Sequence, residues 1–484
     1  MTKPLIAATQ PIAVTLEAGR QYWWCRCGRS RTQPFCDGSH AGTGIEPLAF
    51  TAPRSEEAWL CQCKQTADPP WCDGSHQGLA TGDASLARIR ALSAESAPDE
   101  LVSMGVPRER LPSWDELLFL PAPLARGPLP DEVEVATETL IGPRARRPLR
   151  LAIPLLVADM SFGALSQEAK VALARGAAAA GTAVASGEGG MLAEERRENP
   201  RYLFELGPAG FGYHEGIPAQ VAAFHFKLGQ AAKAGAGGHL PAAKVTEAIA
   251  RTRGIPPGRD AHSPARFPHL KTAADFRHFA DQVRELGDGL PVGMKMAAGH
   301  IEADLDFALE AGMDYVILDG RGGATGAAPQ TLRDHLCLPT LPALARARRH
   351  LDACDARHLT LIVSGGLRLP EEFAKALALG ADAVALGSAA LQALGCIASR
   401  QCHTGRCPTG IATQDPDLRR RLEVEKGAQG LSRFLTRSVA LMTQLARACG
   451  RAALAELSAE DLASPHRRTA ELAQVAFMGD PPGG

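Results

Sequence analysis

Cysteine and histidine recur at fixed spacing in the first 76 residues. The two sets, displaced by 36 residues, are Cys25, Cys27, Cys36 and His40, and Cys61, Cys63, Cys72 and His76. Three thiolates and one imidazole within 16 residues form a complete four-ligand set. A glycine before each histidine lets the backbone turn, so that the imidazole returns to the metal. The spacing therefore predicts two metal centres, and structural zinc accepts this ligand set.

Both copies also match every fixed position of the pattern C-x-C-x2-[ST]-x3-P-x-C-D-G-S-H. In this they resemble the CDGSH iron–sulfur family. The resemblance implies a 2Fe–2S cluster in each copy, with histidine as the one ligand that is not cysteine. A neutral imidazole in place of a thiolate raises the reduction potential, as it does in Rieske centres. A pair of zinc sites stays the alternative, and the two copies could pair as a pseudo-dimer.

A third group of cysteines, Cys396, Cys402 and Cys407, lies near the C-terminal end. It follows two apolar segments, 360–363 and 383–386, each of which leads into glycine. Strand, glycine, helix, strand and glycine form the arrangement in which the last two βα units of a barrel hold a phosphate on backbone N–H groups. The stretch therefore predicts a flavin phosphate site beside an iron–sulfur cluster.

The elements that position these residues repeat between residues 149 and 415 as an apolar strand, a glycine-rich turn and an alanine-rich helix. The predicted strands are Leu151–Ala158, Thr182–Ser186, Ala222–Phe226, Asp260–Ser263, Val292–Met296, Tyr315–Leu318, Thr360–Val363 and Ala383–Leu386. Eight such units predict an α/β fold, a (β/α)8 TIM barrel with its site at the C-terminal strand ends. A doubly wound open sheet is the alternative, although no G-x-G-x-x-G follows the first strand.

Composition divides the chain into four predicted parts. They are a tandem metal-binding domain at 1–78, a proline-rich linker and lead-in at 79–148, the barrel at 149–415 and C-terminal helices at 416–484. Prolines in the lead-in break long helices, so only short helices are predicted there, at 85–93 and 113–120. The C-terminal helices are predicted at 418–426, 431–449 and 459–477.

The charge balance excludes some classes of protein. With 52 basic and 53 acidic residues, a general binder of nucleic acid or of anionic membranes is not expected. No apolar run approaches a membrane span, and the first 15 residues lack the apolar core of a signal peptide. We therefore expect a cytoplasmic protein, in which cysteines serve as metal ligands rather than in disulfides. Of the 12 cysteines, Cys337, Cys354 and Cys449 match no ligand spacing and are interpreted as ordinary core or surface residues.

Polar residues follow the predicted strands, and these segments resemble the FMN-binding synthase domain of glutamate synthase over about residues 113–415. The matching stretches include Met160–Ser166, Ser186–Gly190, Asp319–Pro329, Ser364–Leu367 and Gly395–Gln414. The resemblance implies FMN and a 3Fe–4S cluster, the latter held by Cys396, Cys402 and Cys407.

Individual roles follow from the same resemblance. Gly365, Gly366, Gly387 and Ser388 would hold the FMN phosphate, and Ser161 and Ser186 would contact the flavin. Lys295 would face the flavin ring, where a cation stabilises the reduced form. Lys233 would meet substrate carboxylates, and Glu188 and His239 complete the predicted catalytic set.

The sequence also departs from the family pattern. Ala236 and His239 stand where the family has Glu and Gln, and Ser364 stands where it has Asp. No amidotransferase domain with an N-terminal cysteine precedes the barrel, and no large C-terminal β-helix follows it. We therefore expect that the chain does not take ammonia from glutamine by itself, and 2-oxoglutarate is not fixed as its substrate.

The main functional hypothesis is an FMN and iron–sulfur oxidoreductase acting on CH–NH2 donors. It would pass electrons from the CDGSH clusters through the 3Fe–4S cluster to FMN, for reductive amination of a 2-oxo acid or the reverse. One alternative is flavin-dependent amine transfer to glutamate-type substrates as a complex subunit. Another is a non-catalytic electron-transfer or redox-sensing protein. The expected partners are a small 2-oxo acid or amino acid and an electron donor such as a ferredoxin or a reductase; a homo-oligomer is also compatible.

Overall fold

The computed structural model describes residues 3–76, 89, 92–93 and 101–480. The chain forms two compact units, Met1–Asp99 and Glu100–Gly484. The predicted helix at 85–93 lies mostly outside the described residues. The four-part division stays a prediction.

The N-terminal unit is built from four short strands. Ile12–Leu16 pairs with Glu56–Leu60, and Gln21–Trp24 pairs with Leu48–Thr51, both antiparallel. The repeat length is 36 residues. In the sequence the third strand is therefore the repeat equivalent of the first, and the fourth is the repeat equivalent of the second. Each copy therefore pairs its first strand with the second strand of the other copy. The pseudo-dimer expected from the repeat is present within one chain.

The C-terminal unit contains a closed barrel of eight parallel strands. In chain order they are Leu155–Val157, Val184–Ala185, Tyr202–Leu206, Ala223–Lys227, Val292–Ala297, Tyr315–Asp319, Thr360–Ser364 and Ala383–Leu386. Neighbouring strands pair in that order, and the eighth closes on the first. The strands are almost wholly buried, as expected when helices cover a parallel sheet. The predicted TIM barrel is confirmed.

The predicted fourth strand is wrong. Ala261–Ser263 instead pairs antiparallel with Gly238–Leu240 in a two-stranded sheet outside the barrel. Its middle residue is exposed, whereas a barrel strand must be buried on both faces. The strand missed was Tyr202–Leu206, the third of the barrel, which is buried at all five positions. Its Glu205 interrupts the apolar run that the prediction relied on.

Helices surround the barrel and follow it. They are Gln167–Ala179, Ala193–Glu198, Glu247–Arg253, Ala273–Leu286, Ile301–Glu310, Gln330–His335, Thr340–Ala353, Pro370–Ala378, Ser388–Leu394, Pro416–Arg419, Val424–Ala448 and Arg467–Ala473. Ser166, Thr246 and Thr272 cap three of them by accepting a backbone N–H of the first turn. No helix among the described residues is both long and apolar enough to cross a membrane.

Short strands tie the lead-in to the rest of the unit. They pair Leu101–Val102 with Ala328–Pro329, Thr139–Ile141 with Leu149–Leu151, and Leu118–Phe119 with Leu462–Ser464, which also pairs with Ala476–Phe477. The helix predicted at 113–120 is only a 3-10 turn, Trp114–Glu116, and the predicted helix at 459–477 is interrupted by the strand at 462–464. Further 3-10 turns are Arg108–Arg110, Pro218–Gln220, Ala231–Lys233, Ala242–Lys244, Cys402–Thr404, Leu454–Glu456 and Ala459–Asp461.

The longest helix, Val424–Ala448, packs along Gln167–Ala179. Gly176 permits this approach, because a Cβ there would lie 2.7 Å from the carbonyl oxygen of Ala428. The long helix buries an apolar stripe at helical spacing, which includes Leu431, Leu435 and Met442. The C-terminal segment therefore belongs to the wall that supports the barrel.

Candidate functional site

The ligands of the N-terminal unit form two close pairs in each copy. In the first copy, Cys25 Sγ lies 3.7 Å from Cys27 Sγ, and Cys36 Sγ lies 3.1 Å from Nδ1 of His40. The second copy repeats these distances, at 3.4 and 3.2 Å. Among the described residues, no three of these ligand atoms lie within 4.8 Å of one another. Each copy thus offers two separate two-ligand clamps.

Hydrogen bonds shape the turn that carries the second clamp. The carboxylate of Asp37 accepts the backbone N–H groups of Ser39 and Arg31, both at 3.0 Å. The Ser39 side chain, and then these two backbone bonds, hold the pKa of Asp37 below its usual range. Gly38, at φ +90°, donates its N–H to Cys36 Sγ at 3.4 Å. The second copy repeats all three contacts, so the two turns are equivalent.

The copies differ at one buried cation. Lys64 stands where the first copy has Gly28, and it is only 8% exposed. Its ammonium donates to Oε1 of Gln33 at 2.8 Å and to the carbonyl of Cys61 at 3.3 Å, and it lies 4.6 Å from the ring centre of Trp24. Burial lowers the pKa of Lys64, while the thiolates of both copies oppose that shift. This cation is therefore shared by the two ligand sets.

A cavity lies at the C-terminal end of the barrel strands. Every strand contributes to its wall, in chain order through Asp159 and Ser161, Glu188, Glu205, Lys227, Lys295, Asp319, Ser364 to Gly366, and Gly387 with Ser388. This is the position of the active site in TIM-barrel enzymes. Residues more than 220 positions apart in the chain therefore meet in one site.

The structure brings most of the predicted site residues to this cavity. Those that line it are Ser161, Glu188, Lys233, His239, Lys295, Gly365, Gly366, Gly387, Ser388, Cys396 and Cys402. Ser186 is not among the lining residues. It is fully buried, accepts the N–H of Glu205 at 2.9 Å and donates to the carbonyl of Gly187 at 3.0 Å. Ser186 thus fixes the backbone between the second and third strands.

Backbone N–H groups gather at one end of the cavity. Those of Gly365, Gly366, Gly387 and Ser388 donate to no backbone carbonyl of the described residues. Gly365 is at φ +122°, where a Cβ would lie 2.4 Å from the carbonyl oxygen of Gly320. By contrast, a Cβ on Gly387 would meet no atom within 4 Å. This end has the free donors and the open space that a phosphate group needs.

A buried ion network underlies the cavity floor. The ammonium of Lys295 lies 2.8 Å from Asp159 Oδ2 and 3.4 Å from Glu205 Oε2. Burial alone would lower the pKa of Lys295, but the two carboxylates raise it above its usual range. Burial opposes ionisation of Asp159, yet Lys295 and His225 lower its pKa. The lysine is therefore a permanently charged cation.

His225 extends this network and carries a second positive charge. Its Nε2 lies 2.9 Å from Asp159 Oδ1, and its Nδ1 lies 3.1 Å from the hydroxyl of Tyr315. That hydroxyl donates its only proton to the carbonyl of Phe224, at 2.9 Å. Both imidazole nitrogens therefore donate, because both face acceptors. Burial opposes the charge, but Asp159 raises the pKa of His225 to about 9.

Further cations lie on the cavity wall. The ammonium of Lys227 pairs with Glu188 at 2.6 Å. Burial, and then the charge of Lys227, lower the pKa of Lys233 to about 8. Arg253 donates to the carbonyl of Phe162 at 3.0 Å, and burial lowers its pKa to about 10. The cavity therefore offers fixed positive charge to an anionic ligand.

The third cysteine group adjoins the cavity. Cys396 and Cys402 line it, and Cys407 is buried beside them, with its Sγ 3.4 Å from Oγ1 of Thr409. Burial, and then the neighbouring thiolates, raise the pKa of Cys402. Among the described residues these three sulfurs form no group within 4.8 Å of one another.

Sequence reasoning missed four residues of the site, namely Asp159, Glu205, His225 and Arg253. Glu205 and His225 interrupt the apolar runs Tyr202–Leu206 and Ala223–Lys227. A charged residue within a strand that is otherwise buried must find a partner. That interruption is the signal that could have identified both residues.

The comparisons with known proteins agree with this arrangement. Residues 127–452 match the family described as the conserved region in glutamate synthase, and residues 4–41 match the iron-binding zinc finger CDGSH type. A glutamate synthase large subunit-like protein of Rhizobium meliloti is 36% identical over 417 residues, which cover 82% of this chain and 94% of that protein.

Two further similarities each cover a smaller share of the chain. The archaeal-type glutamate synthase (NADPH) of Thermotoga neapolitana is 41% identical; the match covers 63% of this chain and 60% of that protein. The solved structure of the human mitochondrial inner NEET protein is 43% identical; it covers 17% of this chain and 94% of that chain, with a TM-score of 0.17.

Proposed function

Since the chain belongs to the glutamate synthase family, we propose that its barrel is an FMN-dependent oxidoreductase that interconverts an amino acid and the imine of a 2-oxo acid. The observation that carries this proposal is the cavity. It combines free backbone N–H groups at one end with a buried, permanently charged lysine on its floor. The whole reaction, its substrate and its direction belong to the proposal.

The residues present fit FMN. Gly365, Gly366, Gly387 and Ser388 would hold its phosphate, and Ser161 would contact the flavin. Lys295 would place positive charge at the ring. When bound, FMN supplies hydride transfer. The ion partners of Lys295 keep its ammonium charged and fixed, so it needs no rearrangement when negative charge develops on a ligand.

The cysteine geometry supports iron–sulfur clusters. Two ligand pairs, too far apart to surround one ion, suit two irons with two protein ligands each. A single zinc ion would require four converging ligands. We therefore propose a 2Fe–2S cluster in each N-terminal copy. Cys396, Cys402 and Cys407 would hold a 3Fe–4S cluster. An electron donor such as a ferredoxin or a reductase would supply electrons to these clusters.

Lys233 and Arg253 are the proposed carboxylate partners of the substrate. Both are cations in the cavity wall, and burial strengthens their pairing with an anion because little water screens it. At neutral pH both are mostly protonated, since their pKa values are about 8 and about 10. This arrangement favours a dicarboxylic substrate of the glutamate type.

Two glycine variants test the phosphate site. Gly387→Val should still fold, because a Cβ there meets no atom within 4 Å, but it should lose FMN. Gly365→Ala provides a contrast within the same site: its Cβ clashes with backbone, so it should destabilise the fold as well as lose FMN. FMN content after purification and urea unfolding are measured for both. Stoichiometric FMN in Gly387→Val would show that the phosphate lies elsewhere.

A substrate panel tests the reaction. Turnover of 2-oxo acids with ammonia and a chemical reductant should be detectable in the wild type. Lys233→Ala should raise KM for dicarboxylic acids while retaining FMN. The control variant, Lys271→Ala at an exposed position, should leave KM unchanged and also retain FMN. Equal KM values in the two variants would remove Lys233 from the substrate site.

A redox protein without turnover is the second candidate. It is favoured by His239, which stands where the family has Gln and whose imidazole bonds to Asp260 at 2.8 Å. FMN that is reduced through the clusters, with no turnover across the panel, would favour this reading. A cytoplasmic location and homo-oligomerisation stay predictions.

A further inference from the structure

Two histidines face solvent at the rim of the cavity, on the two-stranded sheet of Gly238–Leu240 and Ala261–Ser263. His239 and His262 are opposite each other in the strand register, and their rings stack with centroids 4.4 Å apart and planes 4° apart. The adjacent pair, Leu240 and Ala261, is buried, because successive side chains of a strand point to opposite faces. The buried face anchors the two-stranded sheet and so holds the two imidazoles together.

Asp260 completes a three-ligand set. Its Oδ2 lies 2.8 Å from Nε2 of His239 and 3.5 Å from Nε2 of His262. The three ligand atoms all lie within 4.8 Å of one another. The other carboxylate oxygen accepts the N–H of Ala242 at 2.7 Å, which fixes the orientation of the group. The bonds from His239 and Ala242 lower the pKa of Asp260, so it is anionic at neutral pH.

We propose that His239, Asp260 and His262 form a zinc-binding site. Both Nε2 atoms lie within 3.5 Å of one carboxylate oxygen, and rotation of the exposed, now parallel rings would turn both lone pairs towards one ion. The three side chains then provide three donors, and a water completes a tetrahedral set. This donor set suits Zn²⁺, whereas Mg²⁺ and Ca²⁺ prefer oxygen alone. The three side chains are 44–68% exposed, so an ion reaches them from solvent without any opening of the fold.

The described residues contain two other triads of metal-ligating side chains, and both are less suitable. Asp159 and Glu205 already pair with the ammonium of Lys295, and His225 donates from both ring nitrogens, so this triad has no free donor for a metal. The other triad, Asp306, His350 and Cys354, offers a single imidazole. Added zinc could also bind at Asp306, His350 and Cys354. The test therefore compares variants of the proposed site, His239, Asp260 and His262.

Calorimetric titration of the full-length, cofactor-loaded protein with Zn²⁺ is the first test. Wild type should bind one equivalent that is missing in His262→Gln and weakened in Asp260→Asn, whose amide oxygen can still accept the N–H of Ala242. His278→Gln, which changes an exposed histidine on the helix Ala273–Leu286, is the matched control and should behave as wild type. Four superimposable titrations would overturn the proposal.

Anomalous diffraction at the zinc absorption edge provides the second test. Crystals soaked in Zn²⁺ should show a peak within bonding distance of Nε2 of His239 and His262 and of Oδ2 of Asp260. Peaks at other sites, with none here, would overturn the proposal even if the titrations differ. A peak here that is absent in His262→Gln crystals would establish the site.

Bound zinc would hold His239 at the rim and add a cation beside the cavity mouth. This consequence rests on the proposed function, whereas the binding of zinc does not. Zinc should inhibit turnover in wild type and in His278→Gln but not in His262→Gln. Equal inhibition of all three would overturn the consequence and leave the site in place. Absence of turnover before zinc is added would instead count against the proposed function.

Discussion

The N-terminal ligand sets and the barrel site differ in how far apart in the chain their residues lie. Each N-terminal set lies within 16 consecutive residues, and local hydrogen bonds of one turn shape the clamp formed by its third cysteine and its histidine. The barrel site takes residues from the ends of eight strands, and its charges are balanced by partners up to 136 positions away, as in Lys295 and Asp159. A short spacing encodes the first site, whereas the second requires the whole fold.

The comparison predicts that the barrel site is the more sensitive to loss of one charge. Lys295→Met would leave Asp159 and Glu205 buried without their main cation. We expect it to destabilise the C-terminal unit by about 3–5 kcal/mol, measured as a lowered urea midpoint in excess FMN. The exposed Lys426→Met is the control and should change stability by less than about 0.5 kcal/mol. Similar urea midpoints for the two variants would show that the ion network does not stabilise the C-terminal unit.

The same contrast explains what the sequence could predict. The cysteine and histidine sets could be predicted because each lies within 16 consecutive residues. The barrel was identified from its repeating strands, since apolar periodicity reflects burial. Glu205 was missed because a carboxylate in a buried strand is favourable only with Lys295 beside it, and that pairing spans 90 positions. Lys64 was missed for a similar reason, because its partner Gln33 belongs to the other copy.

A second buried pair lies behind the cavity. The ammonium of Lys170 donates to the carbonyls of Met160 and Ser186, at 2.6 and 2.9 Å, and lies 2.8 Å from Glu195 Oε1. Tyr202 donates to the other carboxylate oxygen at 2.7 Å. The carbonyls belong to the loops after the first two barrel strands. Burial raises the pKa of Glu195 to about 7, although Lys170 opposes the shift.

This pair predicts a pH effect of intermediate size. The folded state keeps the proton on Glu195 where the unfolded chain has lost it, so this stabilisation is present below about pH 4.5 and is lost as pH rises through about 7. Relative to Glu195→Gln, wild-type stability should therefore fall by on the order of 1–3 kcal/mol over that range. Urea unfolding at several pH values measures it, with the exposed Glu310→Gln as control. Parallel curves for wild type and Glu195→Gln would contradict the prediction.

The N-terminal unit should respond less, and mainly in its redox properties. Lys64 places one positive charge beside the thiolates of both copies. With both clusters loaded, Lys64→Met should make both reduction potentials more negative, by on the order of tens of millivolts, because reduction adds negative charge near this site. Redox titration followed by electron paramagnetic resonance measures the shift, and the exposed Lys3→Met is the control. A shift confined to one cluster would show that the cation is not shared.

The smallest expected effect concerns Gln33, a side chain that bonds to a ligand sulfur of the first copy. Nε2 of Gln33 donates to Cys25 Sγ at 3.4 Å, whereas the equivalent position of the second copy is Pro69. Hydrogen bonds to sulfur raise the potential of a cluster. Gln33→Leu should therefore lower the potential of the first cluster by less than Lys64→Met does. Its effect on the second cluster should be smaller still, since Gln33 reaches that copy only through the ammonium of Lys64.

In the double variant the two shifts should not add, because each change removes the contact that positions the other side chain. Additive shifts would mean that Gln33 and Lys64 act separately, so that each copy sets its potential locally after all.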